Sequence, residues 1–349
     1  MSINRIKTLV AGATGYVGLD LVYLLSKHPN VKIKYLCAKK NIGKNINSFD
    51  KRIKKKLPKI SNIRNAKLSE INLIFLALPN GEAQKMINKI YKKYPNIKFI
   101  DLSADFRIQN PIKYKKWYNI NHKANKLIKN SLYSISEFVK LKIKSYRIIA
   151  NPGCYPTSIQ LPLVPLLKEK LIKNNNIIID SKSGYSGAGK NFKNKFSHKN
   201  LFSSTFSYAV LGHRHMAEID QEFFKHLKIN LNYTFNPHVI PSFRGILSSI
   251  YVEPEKGVTI NKIRFKLKKY YKSMPFVKIL TKDKGISTGN VIHTNNCEIS
   301  ICNTRKKNKF VIFSAIDNLI KGASGQAVQN MNLIYNFKET IGLKWDFYY

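Results

Sequence analysis

The sequence predicts an α/β protein of two domains, and three observations support this. Apolar runs alternate with helix-patterned segments over residues 7–104, and beyond residue 150 the pattern changes to longer runs with strand-like alternation. The chain has 349 residues, more than the roughly 250 at which single hydrophobic cores stop growing. We therefore expect a doubly wound parallel sheet followed by an α+β domain with a mixed sheet.

The first part of the chain follows a strand, turn and helix order. An apolar run at 7–13 ends in glycine, and apolar residues then recur at helical spacing. Later runs are apolar throughout, as in strands buried on both faces, and Pro95 ends the second helical pattern. Strands are predicted at 7–13, 31–38, 71–79 and 98–104, and helices at 14–28 and 82–94.

The second part contains four strand-like runs and a helical tail. The runs lie at 176–183, 232–242, 246–254 and 297–303. Residues 317–337 have apolar side chains at helical spacing, which predicts a helix that returns to the first domain. The predicted boundaries are 1–150, 151–315 and 316–349.

Net charge and hydropathy restrict the class of protein. The chain has 61 Lys and Arg against 19 Asp and Glu, a formal charge of +42. This charge alone is typical of nucleic-acid binders, but the lysines are spread along the chain and no recognition module accompanies them. No run approaches the roughly 18 apolar residues of a membrane helix. We predict a cytoplasmic protein with a small anionic substrate and no nucleic-acid or membrane partner.

A glycine-rich turn lies between the first predicted strand and helix. Gly12, Gly15 and Gly18 have the spacing G-x-x-G-x-x-G. Glycines there allow a tight turn and close approach to a pyrophosphate, whose charge the helix start stabilises. The same spacing also occurs in structural turns without a ligand, so the position between strand and helix carries the prediction. The candidate cofactor-binding residues of this turn are Gly12, Thr14, Gly15, Tyr16, Val17 and Gly18.

The end of the second predicted strand bears on the choice of cofactor. An NAD site usually has an Asp or Glu there to bind the ribose hydroxyls. Here the stretch contains Lys39 and Lys40 and no carboxylate. Two cations suit a 2′-phosphate, which favours NADP.

Cys154 is the candidate nucleophile. It follows an apolar strand and precedes an apolar helical stretch, in the run NPGCYPT at 151–157. Helix N-termini lower the pKa of a thiol, and a thiolate there can attack an acyl carbon. Cys37, Cys297 and Cys302 are expected to be inert, because cysteine is most often a small buried hydrophobe. The irregular spacing predicts no disulfide framework.

A second group of reactive side chains lies at 213–218. His213, Arg214, His215 and Glu218 occupy the start of a predicted helix. A histidine there can move a proton, and an arginine can bind a carboxylate or phosphate. The alternatives are a buried structural histidine or a metal site. Because no further ligands converge on this segment, we predict no metal.

These motifs belong to a larger set that resembles one family. The set consists of GATGYVG (12–18), FLALPNG (75–81), DLSADFR (101–107), NPGCYPT (151–157), GYSGAGK (184–190), HRHMAE (213–218), PHVIPSFRGIL (237–247) and DNLIKGASGQAVQNMN (317–332). It resembles the N-acetyl-gamma-glutamyl-phosphate reductases of arginine biosynthesis over nearly the whole chain. The resemblance implies NADPH-dependent reduction of N-acetyl-glutamyl phosphate to the semialdehyde, with release of phosphate, in a homodimer or homotetramer.

The resemblance also implies residue roles. Cys154 would be the acylated nucleophile and His213 the acid/base. The other implied roles belong to Arg214, His215 and Glu218 in the substrate pocket, Arg107 and Arg244 as further anion-binding residues, and Asn318 with the glycine turn at NADPH. The three parts of the chain would be an NADP-binding domain, a catalytic and oligomerisation domain, and a C-terminal helix.

The sequence departs from the family pattern at two places, and three rival functions stay open. Ala217 replaces a frequent proline, and SISEF at 134–138 replaces a run containing LPE. A sister reductase of aspartyl phosphate or carrier-linked aminoadipyl phosphate would keep the thiol chemistry. A silent NADP-binding protein would not need Cys154 and His213.

Overall fold

The chain divides into two units between Pro152 and Gly153 and between Gly322 and Ala323. The computed structural model describes residues 5–140, 142–190, 192–196, 198–281, 285–306 and 308–343. One unit comprises the chain up to Pro152 together with the segment from Ala323 onward, and the other is Gly153–Gly322. Each unit contains one seven-stranded sheet.

All strands of the first sheet run parallel, in the order β3-β2-β1-β4-β5-β7-β6. This order reverses direction at β1, as expected for a doubly wound sheet, and confirms the Rossmann-type prediction. The strands are β1 (Ile6–Ala11), β2 (Val31–Cys37), β3 (Ile60–Ser61), β4 (Leu73–Leu76), β5 (Lys98–Asp101), β6 (Ser131–Tyr133) and β7 (Ile148–Ala150).

The second sheet is mixed, in the order β12-β13-β14-β11-β8-β10-β9, which also confirms the prediction. The pairs β8/β10 and β12/β13 are parallel, and the other neighbours are antiparallel. The strands are β8 (Ile177–Gly184), β9 (Phe206–Ser207), β10 (Tyr233–Ile240), β11 (Ile246–Val252), β12 (Val277–Ile279), β13 (Cys297–Asn303) and β14 (Phe310–Ile316).

The α-helices complete the two units. Within the described residues they are α1 (Tyr16–Lys27), α2 (Glu82–Ile90), α3 (Pro111–Tyr118), α4 (Asn125–Ile128), α5 (Ser136–Val139), α6 (Cys154–Lys168), α7 (Phe192–Lys195), α8 (Met216–Leu227), α9 (Ile260–Tyr271) and α10 (Gly325–Ile334). None of the helices in the described part of the chain is long and apolar enough to cross a membrane.

Helix α2 covers one face of the first sheet. Its buried residues Ala83, Ile87 and Ile90 share a core cluster with alternate strand residues such as Leu9 and Ile74. Alternation places these strand side chains on the same face. The buried apolar surface thereby fixes α2 beside the ends of β1 and β4.

A buried amide holds the C-terminal helix in the first unit. The side-chain oxygen of Asn330 accepts hydrogen bonds from the hydroxyls of Ser134 (2.8 Å) and Ser136 (2.7 Å). Its nitrogen donates to the Ser134 carbonyl and to the Asn151 side chain, both at 3.2 Å. All four hydrogen-bonding positions of the amide are therefore satisfied. The run at 134–138, which departs from the family pattern, supplies three of these four partner groups.

The predicted C-terminal helix is present, but it begins later than residue 317. Residues Ile320–Ser324 form a π-helical turn, and the α-helix starts at Gly325. It contacts α1 within the first unit, as predicted. Apolar spacing does not reveal a π-turn of only five residues, because so short a segment shows no separate period.

Helix α6 packs on β11 and β14 and contains Pro162 and Pro165. A proline inside a helix leaves the carbonyl four residues earlier without its usual N–H partner. For Pro165 that carbonyl belongs to Leu161, and the hydroxyl of Tyr271 in α9 donates a hydrogen bond to it. A side chain from another helix thus replaces the missing backbone donor.

Replacing Tyr271 by Phe should destabilise the second unit. The change leaves the buried Leu161 carbonyl without its donor, which costs about 2 kcal/mol. Thermal and urea unfolding of Tyr271→Phe, with Tyr270→Phe as the matched control, test this. A loss in Tyr271→Phe no larger than in the control would contradict the role given to this bond.

Candidate active site

The turn before α6 presents Cys154 at a helix N-terminus. Gly153 is the N-cap residue with an extended backbone (φ −70°, ψ 157°), and Cys154 is the first helical residue. The thiol is half-buried. The N–H groups and dipole at a helix start stabilise negative charge, so the position suits a thiolate or an oxyanion.

A buried carboxylate joins this turn to the histidine segment. Glu218, fully buried in the first turn of α8, accepts a hydrogen bond of 2.9 Å from the backbone N–H of Gly153. Its other oxygen lies 3.9 Å from Nε2 of His215. A side chain at Gly153 would meet that same Nε2 at 2.7 Å, so the imidazole lies directly against the cysteine turn. Cys154, His215 and Glu218 are thus brought together.

His213 lies in the same site but has different partners. Its Nδ1 accepts a hydrogen bond of 3.1 Å from the backbone N–H of His215, and its Nε2 lies 3.3 Å from the Tyr208 hydroxyl. Its ring packs edge-on against Tyr155 and Phe235. Burial, and then the charge of Arg214, lower the pKa of His213 to about 3. The imidazole is therefore neutral near pH 7.

This buried imidazole should make stability depend on pH. Since folding lowers the pKa of His213, the unfolded chain binds the proton first as the pH falls. Stability then decreases below about pH 6.5. In urea unfolding, wild-type protein should lose about 2 kcal/mol more than His213→Gln between about pH 7 and about pH 5. Equal losses in the two proteins would contradict a neutral, buried His213.

A close backbone contact fixes the other side of Cys154. A Cβ atom on Gly322 would lie 2.7 Å from the Cβ of Cys154, which no side chain could accommodate without movement. Gly322 is in the π-helical turn, a feature often found at functional sites. Glycine at this position therefore allows the turn to support the cysteine.

The three candidate arginines lie in different surroundings. Arg107, in the first unit, is buried and donates to the Leu102 carbonyl at 2.9 Å. In the second unit, Arg244 is nearly buried and lies 3.4 Å from the Asp317 carboxylate, whereas Arg214 is exposed. Arg214 is adjacent to His213 in the chain, and its charge lowers the pKa of His213.

The three glycines of the turn in the first unit have different roles. Gly12 has φ +83°, and a Cβ there would lie 2.1 Å from the Ala77 carbonyl oxygen. A Cβ at Gly18 would lie 2.1 Å from the Gly12 oxygen, so the helix packs directly on the turn. A Cβ at Gly15 would meet only that same oxygen, at 3.6 Å. The protein itself does not require glycine at 15, which fits close approach of a pyrophosphate.

The other cofactor candidates of the first unit are accessible. Thr14, Tyr16 and Val17 are half-buried, and Lys40 is exposed. The Lys39 ammonium is 2.8 Å from the Glu82 carboxylate at the start of α2. The sequence showed no carboxylate at the end of β2, but the fold brings one there from another element.

A methyl group at Gly15 should therefore weaken cofactor binding and leave the fold intact. We expect Gly15→Ala to melt like wild type and to bind NADPH at least tenfold more weakly, because the methyl group would occupy the pyrophosphate position. Gly18→Ala, the matched control, should lose stability. NADPH fluorescence titration and thermal unfolding give the two readouts. Unchanged NADPH affinity in Gly15→Ala would refute the assignment of this turn.

Asn318 is buried in the second unit, and its amide joins two loops. The side-chain oxygen accepts from the Gly245 N–H (2.8 Å), and the nitrogen donates to the Ser186 hydroxyl (2.9 Å). Its expected contact with NADPH stays a prediction.

Two of the other cysteines are buried, and the described residues contain no cluster of metal ligands. Burial raises the pKa of Cys37 to about 11, and Cys297 is also buried. Within the described ranges, no three His, Cys, Asp or Glu residues lie close enough together to hold a metal ion.

Sequence reasoning missed Tyr208, Gly322 and Glu82. Tyr208 lies five residues before His213, and an aromatic hydroxyl so near a candidate histidine is a signal that could have drawn attention. Gly322 lies in the run KGASG, where small residues indicate close packing. For Glu82, no local signal exists, because its partner Lys39 is 43 residues away in sequence.

Comparison with protein families gives two matches that together cover most of the chain. The family described as "Semialdehyde dehydrogenase, NAD binding domain" matches residues 7–146. The family described as "Semialdehyde dehydrogenase, dimerisation domain" matches residues 154–318.

Curated relatives match at full length. The N-acetyl-gamma-glutamyl-phosphate reductase of Ehrlichia canis is 42% identical, with 97% of each chain covered. A probable chloroplastic N-acetyl-gamma-glutamyl-phosphate reductase of Arabidopsis thaliana is 41% identical, over 95% of this chain and 82% of the relative. The reductase of Brachyspira hyodysenteriae is 40% identical over 97% and 98%.

Solved structures of similar fold are aspartate semialdehyde dehydrogenases. Enzyme II of Vibrio cholerae, complexed with ASA, has a TM-score of 0.70 at 18% identity and covers 95% of this chain and 98% of its own. The Candida albicans enzyme with NADP has a TM-score of 0.63 at 16% identity, with the same coverage. At such identities the likeness concerns the fold.

Proposed function

The chain belongs to the N-acetyl-gamma-glutamyl-phosphate reductases, and we propose that it reduces N-acetyl-L-glutamyl 5-phosphate with NADPH through a thioacyl intermediate on Cys154. The products are N-acetyl-L-glutamate 5-semialdehyde and phosphate. The observation that best supports the mechanism is the position of the half-buried Cys154 thiol at a helix start. The buried carboxylate of Glu218 binds the backbone of the cysteine turn, and the His215 imidazole lies beside that carboxylate.

The first half-reaction transfers the acyl group to sulfur. The Cys154 thiolate attacks the acyl carbon, a C–S bond forms, and the C–O bond to phosphate breaks. The thiol proton passes to His215 and then to the departing phosphate. The helix start stabilises the oxyanion that forms on the acyl oxygen.

The second half-reaction releases the aldehyde. NADPH, which the glycine turn at 12–18 would hold, would supply the hydride that the thioacyl carbon requires. The resulting alkoxide re-forms its C=O bond and expels the Cys154 thiolate, which takes up one proton from water through His215. One hydride and one proton are consumed for each semialdehyde, so the reaction balances.

We assign the proton transfer to His215 because Glu218 stabilises its charged form. The carboxylate lies 3.9 Å from Nε2 and is itself fixed by Gly153. The sequence-based assignment of this role to His213 stays a prediction. Its Nδ1 already accepts a backbone hydrogen bond, and its low pKa disfavours the cation.

The three candidate arginines are proposed to bind the anionic groups of the substrate. Arg214, exposed beside His213, is proposed to bind the substrate phosphate. Arg244, whose guanidinium is fixed against Asp317, is proposed for the substrate carboxylate. Arg107 keeps its predicted role as a further anion-binding residue, with one N–H group engaged at Leu102.

The first unit is proposed to bind NADP. Gly15 leaves room for the pyrophosphate, while Lys39 and Lys40 provide positive charge for a 2′-phosphate. Glu82 holds Lys39 at the end of β2 and would release it to the phosphate.

The second unit is proposed to mediate a cytoplasmic homo-oligomer. Ile178 and Tyr251 are exposed apolar side chains on paired positions of β8 and β11. They form a short row across the two strands, and the next position, Val311 of β14, is buried. Such a row suits a second copy of the chain, in keeping with the "dimerisation domain" description of the matching family.

The reverse reaction tests the proposal. Wild-type enzyme should reduce NADP only when N-acetyl-glutamate semialdehyde and phosphate are both present. Cys154→Ala should lose at least about 1,000-fold in rate, because no thioacyl group can form. Cys302→Ala, the control, should retain activity.

Three outcomes would contradict the proposal. Activity in Cys154→Ala would refute the thioacyl route. Phosphate-independent reduction of NADP would refute the acyl phosphate as substrate. A higher kcat/KM with aspartate semialdehyde would assign the chain to the sister reaction.

A further inference from the structure

Tyr208 connects His213 to a chain of hydroxyl groups. Its hydroxyl lies 3.3 Å from Nε2 of His213 and 3.3 Å from the hydroxyl of Tyr155. The Tyr155 hydroxyl in turn donates to the backbone carbonyl of His238 at 3.1 Å. All four groups belong to the second unit.

The direction of every bond in this chain is determined by its two ends. The His238 carbonyl can only accept, so Tyr155 donates to it and accepts from Tyr208. At the other end, Nδ1 of His213 accepts from the His215 N–H and therefore carries no hydrogen. A neutral imidazole then has its hydrogen on Nε2 and donates it to Tyr208.

The backbone of an edge strand places the Tyr208 hydroxyl. Tyr208 follows β9, and its N–H donates to the Pro237 carbonyl of β10 at 3.2 Å. The ring of Tyr208 also packs edge-on against that of His213, with centroids 5.4 Å apart. Main-chain pairing therefore fixes the Tyr208 backbone, and the ring contact with His213 orients its side chain.

We propose that Tyr208 is a positioning residue: its oxygen, with the His215 N–H, holds His213 as the neutral Nε2–H tautomer, a hydrogen-bond donor that moves no proton. The inference rests on the proposed function and deepens it. In this form the one N–H of His213 is donated to Tyr208, and its Nδ1 accepts from the His215 backbone N–H. His213 would thus orient the His215 backbone, and His215 would carry the proton.

The substitution Tyr208→Phe removes the oxygen and keeps the ring contact. Without its acceptor, the Nε2–H group is no longer held in one direction. We expect kcat to fall by about 10- to 100-fold with KM changed less than about threefold, because orientation of an active-site group affects the reaction more than substrate binding. Tyr233→Phe, which removes a hydroxyl bonded to Asp220 in the same unit, is the control and should keep its kcat.

Nitrogen NMR tests the tautomer without any reaction. In wild-type protein labelled with ¹⁵N-histidine, the His213 signals, assigned by their loss in His213→Gln, should show hydrogen on Nε2 from about pH 6 to about pH 8. In Tyr208→Phe the Nε2–H signal should shift or exchange with water.

The results separate this inference from the proposed function. Hydrogen on Nδ1, or a charged His213, in wild-type protein would overturn it, even if Tyr208→Phe failed to fold. A kcat within twofold of wild type would overturn the positioning role while the reductase activity stood. If wild type lacked reductase activity altogether, the proposed function would fail, and the NMR result would still decide the tautomer.

Discussion

One buried carboxylate, that of Glu218, connects the cysteine turn of the second unit to its histidine segment. Glu218 is fully buried; one of its oxygens accepts from the Gly153 N–H, and the other lies 3.9 Å from the His215 ring nitrogen. The same carboxylate thus fixes the cysteine turn and lies beside the His215 imidazole. Removing it would leave the turn, the histidine and the start of α8 without their common partner.

The two histidines show how neighbouring positions acquire opposite properties. His215 lies beside a carboxylate, whereas His213 is surrounded by aromatic rings and the charge of Arg214, which lower its pKa. Different surroundings of neighbouring titratable groups are typical of acid–base sites. Residue type alone gives no reason to assign the two histidines different roles, but their contacts do.

Local sequence pattern was sufficient to predict the fold. Details of the candidate site depend instead on contacts between residues that are distant in sequence. The strands around 31–38 and 176–183 and the helix at Tyr16–Lys27 follow from apolar spacing and glycine position. The cysteine turn and the glycine turn were also evident, because their chemistry requires particular residues at short spacing. Tyr208 and Gly322 were not, since the first depends on strand pairing and the second on a close approach to Cys154. Glu82 changes the charge at the end of β2 from a different element altogether.

The two internal prolines of α6 have a consequence for how the protein is made. Each proline costs a helix about 3 kcal/mol, so this segment cannot persist as a helix by itself. The hydroxyl that compensates for Pro165 comes from α9, 110 residues further along the chain. The Leu161 carbonyl therefore gains its compensating hydrogen bond only after α9 has been synthesised.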